Sequence, residues 1–318
     1  MMQNVRFDSS RLNEIQPLFR KVFGHDISLE FLDWKYGAGR GESWALIDED
    51  NQLLLHCGVF YRNIALDGVH LCVAQLVDLM ATPKRSGLSR GDSPFALLIR
   101  EVLAQLQTGA NPDALAFGFP SDRAMRLGER LGVFCAVDDW YELSFSAQPG
   151  GAFDQAPDIV HAIDPFHAKL IDRLWLSMSR EFIDFPVGVR DAAYISQRYF
   201  QHPQHSYCCL LVRSRWFSRP VGVALLRGDG VTYELLDIVA PLSAMHDVLR
   251  SLQVWLYRKG GSVFKWHLTS RFANIFAPYA ESCRQTEFRI MANPFSSPSA
   301  LEKFDHKWWL TGGDTDYR

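Results

Sequence analysis

The sequence predicts an α/β chain folded in two similar halves. Stretches with helical spacing alternate with short apolar, β-branched runs throughout the 318 residues. A stretch rich in Gly and Pro divides the chain near its middle, around Pro149, Gly150, Gly151 and Pro157. Short motifs on one side of that stretch recur in the same order on the other, as a duplicated fold requires.

The elements follow in order. Val5-Arg6-Phe7 is a strand candidate. Asp8, Ser9 and Ser10 cap a helix over 11–23, with Leu12, Ile15, Leu18, Phe19 and Val22 on one face and Gly24 at its end. A second helix starts after Ser28 and carries Phe31, Leu32, Trp34 and Tyr36. Strands are expected at 43–47, 53–60 and 61–66, and the run 69–80 is too β-branched for a helix. A loop over 83–92 mixes glycine, serine and basic residues. Ser93 caps the next helix, to about Leu106, with Pro94 at its first position. A buried strand at 114–119, a helix from Ser121 or Asp122 to Gly132, and a strand at 134–146 complete the first half. The division expected is a domain over 1–147, a linker over 148–158 and a second domain over 159–318.

Composition narrows the functions. Hydrophobic residues make up 47% and charged residues 22%, so a packed core is available. The formal charge of −3 supplies no basic face for phosphate backbones, so no nucleic acid partner is expected. No run is long and apolar enough for a membrane span, and the N-terminus has no signal-peptide core, so cytoplasm is the compartment expected. The six cysteines lack metal-ligand spacing and read as buried reduced thiols; no metal is expected.

The internal similarity is carried by particular residues. Phe31-Leu32-Asp33-Trp34-Lys35-Tyr36 parallels Tyr194-Ile195-Ser196-Gln197-Arg198-Tyr199. Gly58-Val59-Phe60 parallels Gly222-Val223-Ala224, and Leu76-Val77-Asp78-Leu79-Met80-Ala81 parallels Leu235-Leu236-Asp237-Ile238-Val239-Ala240. A Ser-led helix follows each, at Ser93 and Ser243, and then a strand. Ser121-Asp122-Arg123-Ala124 finally parallels Ser270-Arg271-Phe272-Ala273.

The stretch LVDLMATPKRSGLSRGDSPFALL, with the strand and helix over 114–133, resembles the GNAT superfamily of N-acetyltransferases. The resemblance implies two tandem GNAT-like domains of the α/β (α+β) class, each a mixed, mainly antiparallel sheet flanked by helices. It also implies acetyl-CoA, or another acyl-CoA, as co-substrate. In that family a strand ends in a Pro-containing turn, a Q/R-x-x-G-x-G/A loop follows, and loop amides with a helix N-terminus hold the pyrophosphate. The physical basis is general: a helix start offers unpaired N–H groups and a positive dipole end, and glycines admit phosphate oxygens.

Carried over residue by residue, the cofactor positions are Met80, Ala81, Arg85, Ser86, Gly87, Leu88, Ser89, Arg90, Gly91, Ser93 and Ser121. The spacing of Arg85, Gly87 and Gly91 departs from the family loop, and Asp92 adds negative charge beside it. Many relatives have Asn where Ser121 stands and a general-acid Tyr where Gly128 stands. In the second half, Ala240-Pro241-Leu242-Ser243-Ala244 has no glycine or basic residue, so that half is expected to be degenerate.

Direct attack of an amine on a thioester needs a base for the amine and a proton for the departing thiolate. Asp78 is the catalytic candidate, set against a structural carboxylate, for which the matching Asp237 argues. Tyr61 and Tyr141 read as core or interface tyrosines, and His56 and His70 as hydrogen-bonded scaffold. At the C-terminus, Asp314-Thr315-Asp316 after Trp308-Trp309 reads as a flexible end. A D-x-D site for a cation or sugar diphosphate is the other reading, and similar tails in GNAT-like proteins hint at a sugar-linked acceptor. The function expected is an acyl-CoA-dependent N-acyltransferase acting on a small-molecule amine. The alternatives are a non-catalytic acyl-CoA sensor or assembly protein, and a transferase using aminoacyl-tRNA.

Overall fold

A computed structural model describes residues 2–82, 93–108, 114–151, 154, 156–214, 218–295 and 298–315. In chain order its first elements are β1 (Gln3–Phe7), α1 (Ile15–Phe23), α2 (Leu29–Tyr36), β2 (Gly41–Ile47), β3 (Leu53–Leu66), β4 (Val69–Ala81), α3 (Pro94–Gln107), β5 (Ala116–Gly118), α4 (Asp122–Arg130) and β6 (Cys135–Ser146). Next come β7 (Asp158–Val160), α5 (Pro165–Glu181), β8 (Val187–Gly188), α6 (Ala192–Ile195), β9 (Cys208–Arg213), β10 (Pro220–Gly228) and β11 (Thr232–Val239). The chain closes with α7 (Met245–Arg258), β12 (Val263–Thr269), α8 (Ser270–Phe276), β13 (Ser282–Asn293) and α9 (Pro298–Phe304).

The chain divides into two compact units that interleave in sequence. Unit 1 comprises Met1–Asn63, Leu71–Val137 and Phe288–Lys303; unit 2 comprises Ile64–His70, Asp138–Glu287 and Phe304–Arg318.

In unit 1 the antiparallel strands β1, β2 and β3 lead to β4, which runs parallel to β5. The strand beside β5 is β13, antiparallel, with Met291 opposite Gly118. Alternate residues of β2 show the layering. Leu46 joins a core with Leu98, Ile99 and Val102 of α3 and Met125 of α4, while Ala45 and Ile47 join another with Ile15, Leu18 and Phe19 of α1 and Leu32 of α2. Helices thus cover both faces, as period-two alternation on a doubly buried sheet demands.

Unit 2 repeats the pattern. β9, β10 and β11 are antiparallel, β11 runs parallel to β12, and β6 pairs antiparallel with β12, Trp140 lying opposite Thr269. Each unit is a mixed, mostly antiparallel sheet with helices, as expected. In each, the last strand comes from the other end of the chain's halves: β13 for unit 1, β6 for unit 2.

Local chemistry sets several element ends. Ser28, Ser93 and Ser121 accept hydrogen bonds from Phe31 N, Ala96 N and Ala124 N, so each N-caps its helix. Gly24, at φ 78°, ends α1 in the left-handed conformation.

Some expectations are corrected. Residues 53–60 and 61–66 form one strand, β3, because no turn residue separates two runs that share a sheet. The first helix begins as a 3-10 turn, Ser9–Glu14, and becomes α-helical only from Ile15. Ser243 does not cap α7: its amide and hydroxyl donate to the Glu181 carboxylate at 2.9 and 2.8 Å. Cys72 and Cys283 are exposed, while Cys57 and Cys209 are buried, and all six cysteines are free.

Candidate functional site

The chemistry-bearing cluster of unit 1 centres on Asp78 in β4. Asp78 has φ 46°, and among the described residues it alone adopts positive φ inside a strand; the others sit in turns and connections. Val77 faces the core with α1 and α2, Asp78 bonds to residues of α2, and Leu79 packs on the opposite core. Two consecutive side chains on one side mark a local break in the pleat, as a bulge produces.

The break is held by named contacts. Lys35 Nζ donates to both Asp78 oxygens, at 2.9 and 2.8 Å, and the Tyr36 hydroxyl donates to one of them. The Asp78 carbonyl accepts from His56 Nδ1 at 2.8 Å, and Ser43 Oγ donates to His56 Nε2 at 2.9 Å. The carbonyl partner requires the Nδ1–H tautomer, which leaves Nε2 as acceptor. Gly58 makes room, since a Cβ there would lie 2.1 Å from the Tyr36 hydroxyl.

Electrostatics follow from burial. Desolvation pushes the Asp78 carboxyl up, but the Lys35 charge and the hydrogen bonds from Lys35 and Tyr36 outweigh it and hold it below its ordinary value. Burial drives the His56 imidazole down against the bond to the Asp78 carbonyl, keeping it neutral. The pair therefore presents an ionised carboxylate and a neutral imidazole at neutral pH.

The remaining expected residues are placed as follows. Met80 is buried beside the break and Ala81 ends β4, half-buried. Ser93 is buried and caps α3; Ser121 is exposed and caps α4. Arg85, Ser86, Gly87, Leu88, Ser89, Arg90 and Gly91 lie outside the described residues. Gly128 packs against Phe134, its Cβ position 3.0 Å from that ring, so a tyrosine has no room there without repacking. Burial raises the Tyr61 phenol, with Glu42 adding to the shift, and Tyr61 and Tyr141 are both half-buried.

Unit 2 holds a second cluster of the same kind. The Tyr199 hydroxyl donates to Asp237 Oδ2 at 2.9 Å, as Tyr36 does to Asp78, and Tyr194 donates at 3.2 Å. The cation differs. Arg190 Nε donates to Asp237 Oδ1 at 2.7 Å, and its other nitrogens bond the Gly188 carbonyl at 2.7 Å and Asp314 at 2.5 Å. Burial pushes the Asp237 carboxyl above its ordinary value, opposed by Arg190 and reinforced by the Asp314 carboxylate.

The tail is therefore not a flexible end. Thr311–Asp314 forms a buried capped turn, Thr311 Oγ1 bonds Asp237 at 3.2 Å, and Arg198 donates to the carbonyls of Gly313 and Thr315 at 3.2 and 3.1 Å. Asp314 is spent on Arg190, and Asp316 lies outside the described residues. Among the described residues no group of His, Cys, Asp and Glu could hold a metal, and no helix is long and apolar enough to cross a membrane.

Sequence reasoning singled out Asp78 but missed Lys35, Tyr36, His56 and Ser43 as its partners. The signal was present in the repeat: Lys35-Tyr36 aligns with Arg198-Tyr199, a cation before a tyrosine at the end of an apolar helix.

The fold defines the class: the chain has the fold of the GCN5-related N-acetyltransferases. A probable N-acyltransferase from Enterococcus faecalis superposes at TM-score 0.69 with 14% identity, over 95% of this chain and 75% of that one. A GCN5-related N-acetyltransferase from Kribbella flavida gives 0.65 at 13% identity, over 92% and 70% of the two chains. The Saccharomyces cerevisiae N-myristoyltransferase with bound myristoyl-CoA gives 0.58 at 9% identity, over 92% and 80%. No family model matches the sequence. No curated protein matches it either.

Proposed function

We propose that the protein is an acyl-CoA-dependent N-acyltransferase whose donor lies against β4 and the start of α3 in unit 1. The amine nitrogen of the acceptor attacks the thioester carbonyl, the C–N bond forms, the C–S bond breaks, and CoA leaves as the thiol after the amine proton is lost. No covalent enzyme intermediate is needed. The single observation that carries the reading is the left-handed break in β4 at Asp78, two residues before Met80 and leading toward the Ser93-capped start of α3. Irregular backbone held by buried polar groups collects at functional sites. The structurally similar N-acyltransferases and the myristoyl-CoA complex support the donor class.

In this reading the cofactor residues are Met80, Ala81, residues 85–91, Ser93 and Ser121, with Arg85 and Arg90 supplying charge for the phosphates. Asp78 is the acid/base candidate nearest the break. Both its oxygens are engaged by Lys35 and Tyr36, and an ionised carboxylate held so low is a weak proton acceptor, so orientation suits it better than proton removal. The acceptor is a small amine. The C-terminal tail lends no support to a sugar-linked one, because Asp314 serves Arg190.

We also read the chain as a duplication. The Tyr36–Asp78 and Tyr199–Asp237 bonds and the parallel pairs β4–β5 and β11–β12 support it. The sequence-level halves, 1–147 and 159–318, are then the repeated modules. A CoA thioester donor fits a cytoplasmic setting.

Calorimetry tests the reading, titrating acetyl-CoA and myristoyl-CoA into the wild type and into Arg85→Ala/Arg90→Ala. Saturable binding that weakens in the variant supports it and justifies a screen of amine acceptors. A folded wild type that binds neither donor sinks it.

A further inference from the structure

We infer that Lys35 is a positioning residue of the acyl-transfer site: its buried ammonium holds the left-handed break at Asp78 against which the acyl group rests. This rests on the reading above that acyl-CoA lies along β4.

The argument begins with cost. A non-glycine residue in the left-handed region inside a strand is strained, so the surroundings must over-determine it. A buried lysine is costly too, and is kept only where a carboxylate compensates. Here the two meet, with Lys35 only 2% exposed and bonded to both Asp78 oxygens. The carboxylate is thereby pulled to the α2 side, and His56 holds the carbonyl of the same residue from β3. Side chain and carbonyl are each gripped, which fixes the backbone between them.

Unit 2 supplies the comparison. Asp237 keeps its tyrosine but is not among the residues with positive φ, although β10 and β11 shift register beside it. So the tyrosine–aspartate bond does not by itself require the left-handed backbone. What changes is the cation. The helix residue before the tyrosine, Arg198, donates to the carbonyls of Gly313 and Thr315, and the guanidinium at Asp237 is that of Arg190 from outside the helix. The strained break thus accompanies the lysine on α2, in the unit whose sequence carries Arg85, Gly87, Arg90 and Gly91. The unit without such a run has neither. Exposure agrees: Asp78 retains 9%, whereas Asp237 is sealed at 0% with the C-terminal turn bonded to it.

The test compares the affinities of acetyl-CoA and free CoA by calorimetry, for the wild type and Lys35→Met. The wild type should prefer acetyl-CoA. In Lys35→Met the affinity for free CoA should hold while that preference falls by up to about tenfold, the scale on which one polar contact contributes. A merely structural lysine would weaken both ligands alike or neither. If Lys35→Met does not fold because Asp78 is left unpaired, Lys35→Gln, which keeps a donor toward Asp78 without the ammonium, is read the same way. An unchanged preference in a folded variant overturns the inference, as does a wild type that binds both ligands equally, and in either case the donor site stands. A wild type that binds neither ligand overturns the acyltransferase reading itself.

Discussion

Gly58 lies directly against the hydroxyl of Tyr36, so close that a Cβ at Gly58 would stand 2.1 Å from the phenolic oxygen and 2.9 Å from a Val77 methyl. The glycine is what allows a full-sized tyrosine from α2 to reach the carboxylate of β4 through the core. Gly58→Ala should therefore push Tyr36 off Asp78 and destabilise the protein by about 1–3 kcal/mol, the usual cost of overpacking. Urea unfolding measures it, and Gly58→Ala/Tyr36→Phe should not recover the loss fully, because the methyl of Val77 remains in the way.

Arg190 bridges two buried carboxyl groups, Asp237 and Asp314, with none of the three more than slightly exposed. Arg190→Met should cost about 3–5 kcal/mol, since it strands buried charge. Asp314→Asn should cost much less, because one carboxylate then faces one guanidinium. Equilibrium unfolding of both variants gives the order, and an equal loss in the two would show that the Asp314 carboxylate is as necessary to the buried group as the guanidinium.

His267 is buried between Glu142 and Glu234, at 3.5 and 3.4 Å, and stacks on Trp140. Burial lowers its imidazole to about 4, with Glu142 opposing the shift. A histidine depressed in the folded state binds fewer protons there than in the unfolded chain. Its contribution is thus intact above the ordinary value of 6.5 and declines as pH falls from there toward about 4. Between about pH 7 and about pH 5 the wild type should lose about 2 kcal/mol from this site, an upper bound. His267→Gln should flatten that part of the profile, as measured by urea unfolding at each pH.

Ser93 both caps α3 and stands at the proposed phosphate end of the donor. Its Oγ accepts from Ala96 N at 3.2 Å. Ser93→Ala should lower stability by about 1 kcal/mol. Ser93→Gly should lower it by only a few tenths. If the hydroxyl also meets the donor, both variants weaken acetyl-CoA binding to the same extent. Thermal unfolding and calorimetry on the same samples separate the two effects.

Much of the fold was legible because its signals are local. Ser28, Ser93 and Ser121 announce helix starts by residue type, and Gly24 a helix end, since capping depends on groups within one turn. Residues 53–60 and 61–66 read as two strands where the structure has one, because two sheet-compatible runs look the same whether joined or not. Asp78 was legible as a carboxylate entering the cofactor region. Its partners were not: Lys35 and His56 lie 43 and 22 residues away along the chain, and no local rule links them. The tail misled for the same reason. Gly312, Gly313 and Asp314 have the composition of a loose end, yet they are buried, Asp314 bonded by Arg190, 124 residues upstream, and the Gly313 carbonyl by Arg198.

By itself, then, the sequence determined the α/β alternation, the helix caps, the ordered repeat and the position of the acidic residue in β4, all of which rest on short-range propensity and periodicity. Only the tertiary structure decided which strands complete each unit, that β13 rather than β6 lies beside β5, and which cation meets each aspartate. The reason is energetic. Strand partners and buried ion pairs are chosen by the desolvation cost of the whole packed arrangement, and that cost is set by residues far apart in the chain.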